Sequence, residues 1–442
     1  MNLRNCLLLF LIFSFSALLC ACTQNNTFIG PPTTKTDVNR QLAPGEWGLT
    51  LLSADQYPDM RNAFMNKDGL IQAIDRSIAY LQSPSSQKFF PDGPITHDQV
   101  LSSLYDFKYM LQNISSPDEF QQQIVSRYDV YISKGYDENN SVWFTGYYTP
   151  ILYGSMTETP EYQYPVYKRP PDLVSDPVSG QTLGQKVNGV LQPYPTRSEL
   201  LSSGALKGLE LVWFSTPLDA YIVEIQGSAK VILTDGETVT IGYAGDNGRN
   251  YNGLGAELVK EGKIPAEKLS LPSIQEYFQE HPQDVETIIN NNDFMAFLKP
   301  YDPNRWPLAS LGVMVTDHRT LATDKTITAP PYQTIFPRAA LTFVQAQMPD
   351  TQGNITPFTG FMLDQDSGGA IRAAGRADIY MGIGPDAQAQ AGYEYSQGRL
   401  YYLFLKPGVA PQGGPTTEPA MPDNSSENAP VQMPSAENSQ GQ

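Results

Sequence analysis

The segment Phe361–Ala391, FMLDQDSGGAIRAAGRADIYMGIGPDAQAQA, concentrates the chemistry of this chain. Two aspartates, Asp366 and Asp378, stand among glycines and alanines with few other charges nearby. Gly368, Gly369, Gly375, Gly382 and Gly384 remove side chains and open backbone angles that other residues avoid. A carboxylate placed there can approach a bulky ligand closely. A carboxyl in poorly solvated surroundings keeps its proton, which a general acid requires. The same composition also fits a pair of turns, since aspartate is a common turn residue.

Other chemistries find less support. The formal charge is −17 and no basic stripe is present, which disfavours nucleic acid as a partner. His97, His281 and His318 are scattered and show no ligand spacing, so no metal site is expected. Gly382-Ile383-Gly384 runs into Pro385-Asp386 and lacks the rest of a dinucleotide fingerprint, so no cofactor is expected either.

The elements that would position the aspartates change in texture along the chain. Early on, LIQAIDRSIAYL places Leu70, Ile74, Ile78 and Leu81 on one helical face. Thr96 with Gln99 predicts a capping box ahead of VLSSLYDFKYML, and Ser116-Pro117-Asp118-Glu119 predicts another capping box. From Val142 the pattern turns to β. WFTGYYTPILYGS is aromatic and punctuated by glycine. AYIVEIQGSAKVILTDGETVTIGYAG reads as strands rich in Val, Ile and Tyr, with Asp235-Gly236 as a tight hairpin turn. A short helix is expected near Ser273–Gln279. Strands are expected again around Pro307–Phe343, Gly360–Leu363 and Leu400–Leu405. Strands with helices gathered at the start suggest barrels rather than a parallel α/β sheet.

The two ends read differently. Arg4 followed by the short apolar run Leu7–Leu19 forms an export signal, too short to span a bilayer comfortably. Leu19-Cys20-Ala21-Cys22 is similar to the bacterial lipobox, which predicts cleavage before Cys22 and lipid attachment to its sulfur. Thr23 in place of aspartate then favours the periplasmic face of the outer membrane, with two acyl signals giving stable anchoring. All three cysteines lie in this leader, so no disulfide is expected in the mature chain. From Lys406 to Gln442 large apolar residues are missing apart from two valines and two methionines, and disorder is expected.

Taken in order, FTGYYTPILYGS, YQYPVYKRPPDL, TRSELLSSGAL, EIQGSAKVILTDG, GYAGDNGRNYNGLG, LATDKTI and DSGGAIRAAGRADIYMGIGPDAQAQAG resemble the MltA family, the membrane-bound lytic murein transglycosylases A. The resemblance runs from Phe144 to Gly392. It implies a mainly β fold: a double-psi β-barrel with N-terminal helices, interrupted by an inserted second β-barrel, with a groove between them. On this chain that gives a signal peptide at 1–21, a linker at 22–45, a discontinuous barrel at 46–154 and 298–407, an insert at 155–297, and a disordered tail at 408–442. Three departures concern loops and subsites: Ala329 before Pro330-Pro331, Ala229 after Gln226-Gly227-Ser228, and Thr149 where many members have glutamate.

The family's catalytic acid falls on Asp378, in Ala377-Asp378-Ile379-Tyr380, and its other two marker aspartates fall on Asp324 and Asp366. The implied substrate is the glycan strand of peptidoglycan, cut between N-acetylmuramic acid and N-acetylglucosamine. One carboxyl suffices if the sugar's own C6 hydroxyl is the nucleophile and a 1,6-anhydro end results. Asp366 and Asp324 are expected to support Asp378 by charge or by loop geometry. Tyr147, Tyr148 and Tyr380 are candidates for stacking on sugar rings. Thr149, Gln226 and Ser228 are candidate hydrogen-bonding groups, with Gly146, Gly227, Gly368 and Gly369 admitting close approach. Asn247 and Tyr251 read as structural. Besides glycan strands and the membrane, a cell-wall enzyme complex is a conceivable partner. Two other functions remain open: a non-catalytic murein-binding lipoprotein with an expansin-like barrel, and a hydrolase leaving reducing ends.

Overall fold

The computed structural model describes residues 37–43, 46–326 and 334–414. The expected leader, Cys22, most of the expected linker, the Pro330-Pro331 stretch and the tail beyond 414 lie outside the described residues.

Strand β1 (Leu49–Leu51) precedes four helices, α1 (Arg61–Met65), α2 (Leu70–Gln82), α3 (His97–Asn113) and α4 (Pro117–Arg127). α2 follows the 3.6-residue pattern, with Leu70, Ile74, Ile78 and Leu81 buried. The Thr96 hydroxyl accepts the Gln99 amide at 3.1 Å, starting α3. The return half of the expected capping box is replaced: Gln99 Nε2 donates to the Leu405 carbonyl at 3.0 Å, tying α3 to the last strand. Ser116 caps α4 through the Glu119 amide.

The chain continues with β2 (Tyr128–Ser133) and β3 (Val142–Thr149), then passes through Pro150 into β4 (Ile151–Gly154), β5 (Tyr164–Tyr167), β6 (Leu173–Ser175), β7 (Thr182–Val187) and β8 (Val190–Gln192). Next come α5 (Arg197–Ser203), β9 (Glu210–Phe214), α6 (Pro217–Gln226), β10 (Ser228–Leu233) and β11 (Thr238–Asp246). Three helices, α7 (Leu254–Lys260), α8 (Leu271–Glu280) and α9 (Val285–Asn290), lead to β12 (Ala296–Pro300). The last part holds β13 (Thr320–Ala322), β14 (Leu341–Pro349), β15 (Ile355–Asp366), β16 (Arg376–Ile383), α10 (Pro385–Tyr393) and β17 (Tyr395–Leu405).

β17-β14-β15-β13-β16-β3 forms a closed six-stranded barrel, because β17 also pairs with β3. The start of β17 lies on β3 and its end on β2, so one long strand closes the barrel and carries the β1–β2 extension. β3 is parallel to β16 and β13 is parallel to β15, and the remaining pairs are antiparallel, as a double-psi barrel requires. The helical layer shares its core: Phe107 meets Phe361 edge-on at 4.8 Å between ring centroids.

The inserted strands form a second ring. β12-β11-β10-β4 is a continuous sheet, and β5 pairs with β9. Single bridges at Ser155–Trp213 and Lys168–Leu298 join the two pieces on both sides. Val166, Val212, Phe214, Val231, Ile241 and Leu298 fill its interior. One stretch departs from the strand reading. Residues 220–226 are the body of α6, started by the Thr216 cap, Pro217 in the first turn and Asp219, and ended at Gly227 with φ +70°. A further helical cluster, α7–α9 with Tyr221, covers the insert.

Beyond β17 the chain is held on the helices. The Ala410 carbonyl accepts from Arg127 at 2.8 Å, and the Gln412 amide donates to Asp106 at 2.7 Å. The first part of the stretch expected to be disordered is therefore seated. Among the described residues no helix is long and apolar enough to cross a membrane.

Candidate active site

β16 alternates as a strand must. Ala377, Ile379 and Met381 point into the barrel core. Arg376, Asp378 and Tyr380 therefore share the opposite face. In register, Asp378 lies between Thr145 of β3 and Ala322 of β13, and Thr145 in turn faces Tyr395 of β17.

Asp378 Oδ1 is buried and has no hydrogen-bond partner. Burial pushes this carboxyl up to about 6, and the nearby Asp366 charge adds to the rise. Arg376 and the Thr145 hydroxyl pull the other way and do not cancel it. The carboxyl thus keeps its proton to higher pH than an ordinary aspartate, and one of its oxygens has no protein donor.

Asp366 ends β15 and is far better satisfied. Its Oδ2 accepts the Tyr147 hydroxyl at 2.6 Å, and its Oδ1 accepts the Ser310 and Ser367 amides at 2.7 and 2.8 Å. Burial still raises it above the ordinary carboxylate range against those bonds. Asp324 plays a loop part. Its oxygens accept the amides of Thr326 at 2.8 Å and Ala373 at 2.7 Å, holding Ala373 at φ +61°. It pins the turn that leads into β16.

The other expected residues divide. Tyr147 is half-buried, and its ring tilts against Tyr380 at 5.1 Å. Tyr380 is 1% exposed, and its hydroxyl lies 2.9 Å from Thr149 Oγ1, which lies 3.0 Å from Ser228 Oγ. This chain of hydroxyls joins the two barrels where β3 turns into β4, and it leaves Tyr380 without a free ring face. Tyr148 is also 1% exposed and packs in the barrel core, so it offers no sugar platform. Its amide donates to Gln226 Oε1 at 2.9 Å, a structural use of that glutamine. Gly146 faces packing, not a ligand: a Cβ there would meet Ala391 Cα at 2.8 Å. Gly227 supplies the left-handed end of α6. Gly368 and Gly369 are half-buried in the turn before β16, and Gly369 abuts the Phe294 ring of the insert. Asn247 is structural as read, bridging the Pro195 and Asp293 carbonyls. Tyr251 packs edge-on to Phe294 and lies within range of the Arg376 and Tyr395 side chains of the barrel.

Two charged groups near Asp378 escaped the sequence reading. Arg376 is one; its place two residues before Asp378 on one strand face was the available signal. Glu394 is the other. It is fully buried beneath β3, and burial pushes it up to about 8. Its Oε1 accepts the Ser396 hydroxyl at 2.6 Å while Oε2 has no partner. Only the packing of α10 onto β3 brings Glu394 there. A separate polar cavity of about 560 Å³, lined by Gln72, Arg76, Asp317 and His318 among others, contains none of the expected site residues. Among the described residues no cluster of His, Cys, Asp and Glu is arranged to hold a metal ion.

Residues 143–299 match the MltA specific insert domain, and residues 319–404 match the 3D domain. The membrane-bound lytic murein transglycosylase A of Escherichia coli K12 is 31% identical over 291 residues, 64% of this chain and 70% of that protein. This chain belongs to the MltA family. The Vibrio cholerae member is 28% identical over 282 residues, 62% of this chain and 68% of that protein. Solved MltA-type folds agree in architecture. The membrane-bound lytic murein transglycosylase from Agrobacterium tumefaciens aligns with TM-score 0.63 at 23% identity, over 81% of this chain and 98% of that one. E. coli MltA with bound chitohexaose aligns with TM-score 0.61 at 22% identity, over 84% of this chain and 99% of that one. The 3D-domain match covers β13 to β17 of the first barrel, the insert-domain match runs from β3 of that barrel through the second ring, and Asp378 lies on β16, the 3D-domain strand paired with β3.

Proposed function

We propose that this chain is a lytic transglycosylase that cuts peptidoglycan strands between N-acetylmuramic acid and N-acetylglucosamine, with Asp378 as the single acid and base. The observation that carries the reading is the Asp378 carboxyl, held above its ordinary range by burial with one oxygen free of any protein donor. The names of the relatives and the chitohexaose bound to E. coli MltA support a glycan as substrate.

Protonated Asp378 gives its proton to the glycosidic oxygen. The bond from C1 to that oxygen breaks, and its electron pair leaves with the N-acetylglucosamine as a hydroxyl. Asp378, now a carboxylate, accepts the proton of the muramoyl C6 hydroxyl. That oxygen bonds to C1 and closes the 1,6-anhydro ring. The proton returns to Asp378, so no water is consumed and no second carboxylate attacks. Hydrolases of the two-carboxylate type need a partner positioned for water or for attack. Asp366 is committed to three donors, which suits an electrostatic role better.

Asp324 is proposed as a loop anchor, and Gly368 and Gly369 as places of close glycan approach. Attachment to the periplasmic face of the outer membrane through lipid on Cys22 is part of the same proposal. Digestion of purified sacculi followed by mass spectrometry of the muropeptides tests the chemistry. Anhydro-muramyl products lacking the mass of one water are expected, and they should vanish in Asp378→Asn. Reducing-end products would establish a hydrolase instead. Binding to sacculi with no new chain ends from wild type would establish the non-catalytic alternative.

A further inference from the structure

Arg376 and Asp378 present a buried donor and a buried acceptor, two residues apart on one strand face, and the protein satisfies neither. Arg376 Nε is sequestered without a partner, as Asp378 Oδ1 is. The other ends of the guanidinium are weakly held: Nη1 donates to the Ala370 carbonyl at 3.2 Å and Nη2 to Thr145 Oγ1 at 3.3 Å. The buried Arg197 differs, forming an ion pair with Glu224 at 2.5 Å, as does the half-buried Arg127 with Asp106 at 2.5 Å. No ion pair among the described residues includes Arg376. A half-buried cation without a counter-charge is costly, and a guanidinium is matched best by a carboxylate.

The surroundings are those of a binding subsite. Tyr251 of the insert and Tyr395 of β17 lie within electrostatic range of Arg376, and Phe294 packs on Tyr251 and over Gly369. A guanidinium without an ion pair thus lies beside the proposed acid, within electrostatic range of a tyrosine from each barrel.

We infer that Arg376 is a substrate-recognition residue that takes a carboxylate carried by the muramoyl residue at the scissile bond. The inference rests on the proposed glycan-cleaving function and names the part of the substrate that distinguishes murein from an uncharged glycan. It also links binding to chemistry. Arg376 pulls the Asp378 carboxyl down. A bound carboxylate offsets that pull, so the acid keeps its proton more firmly once substrate is seated. Two sources offer the same group: a carboxylate of the peptide stem, or the lactyl carboxylate exposed when the stem has been removed.

The test compares wild type, Arg376→Gln and Arg376→Lys on three preparations of the same strands. One bears peptide stems, one has been stripped by an amidase, and one has every carboxyl converted to the amide with carbodiimide and ammonia. Wild type is expected to favour a carboxylate-bearing strand over the amidated one on the order of tenfold in kcat/KM. Arg376→Gln should lose that preference whatever its absolute rate, since removing the guanidinium also lifts the Asp378 carboxyl, so the ratio of rates on the two strands is the readout; Arg376→Lys should keep part of it. Preference for stem-bearing strands assigns the stem carboxylate; preference for stripped strands assigns the lactyl group. An unchanged preference in Arg376→Gln, or equal wild-type rates on all three, overturns the inference. Calorimetric binding of the same strands separates it from the functional reading. If wild type cleaves nothing, a carboxylate-dependent affinity lost in Arg376→Gln still upholds the site, and no such difference sinks it. If Arg376→Gln does not fold, loss or retention of the preference in Arg376→Lys decides.

Discussion

The Tyr147 hydroxyl donates to Asp366 Oδ2 at 2.6 Å, while Asp378 Oδ1, on the neighbouring strand, receives no donor. Two carboxylates in one site are thereby made unequal: Asp366 is favoured as the charged member and Asp378 as the protonated one. The Asp366 charge in turn helps keep the proton on Asp378.

Tyr147→Phe should weaken this division. Without the phenol, Asp366 ionises less readily, and Asp378 loses part of the negative charge that raises it. The limb of the pH–rate profile that reports loss of the acid's proton should move to lower pH, with activity near neutrality falling several fold. A cost of about 1–2 kcal/mol in stability is also expected from the lost buried bond. Rates of anhydro-muropeptide release across pH check the first part and denaturant melts the second. An unchanged pH profile would remove Asp366 from the account of Asp378.

Asp378→Asn should fold and be more stable than wild type at neutral pH. The folded carboxyl stands at about 6, above its ordinary value. Between the unfolded value near 3.9 and the folded value, the native state binds the extra proton, so wild-type stability falls as pH rises through that window. The loss is roughly 3 kcal/mol once both states are ionised. The amide avoids it. Melting temperatures should therefore differ at pH 7.5 and converge near pH 4, while activity drops about 10²- to 10⁴-fold. Equal melting temperatures at pH 7.5 would mean that the carboxyl is better solvated than its surroundings imply.

Much of this site is readable along the chain, because its acid sits in one short motif and α2 announces itself by period. What escaped depends on partners distant in sequence. Tyr148 and Tyr380 look like sugar platforms along their strands, yet the barrel core buries Tyr148 and the 309–315 segment helps bury Tyr380. Residues 220–226 are apolar nearly throughout, so period could not separate strand from helix, and the Thr216-Pro217-Asp219 start decided it. Arg376 carried a signal in its spacing from Asp378, and the register of β16 puts the two on one face. The second ring closes through two isolated bridges, a feature that no local pattern encodes.

Asp324→Ala should act on the loop and spare the titration of the acid. The substitution releases the Ala373 and Thr326 amides, and Ala373 would no longer be held at positive φ. About 1–3 kcal/mol of stability should go with them. Hydrogen exchange at Ala373 should speed up and KM should rise, with the pH–rate profile keeping its shape. A shifted profile would mean that Asp324 acts by charge.

Glu394→Gln isolates the buried acid beneath β3. Glu394 is fully buried, its Oε1 accepts from Ser396, and burial holds it at about 8, so it is neutral in the folded protein at pH 7. The sign follows from the same linkage: the folded state keeps a proton that the unfolded state loses, so wild-type stability declines from the ordinary glutamate range near 4.3 up to the folded value. Glutamine carries no such dependence. The variant should match wild type near pH 4, exceed it increasingly toward pH 8, and hold a level difference beyond. Chemical denaturation at a series of pH values measures this directly. Parallel stability curves for the two proteins would place the ionised glutamate in contact with solvent and remove it from the electrostatics of the site.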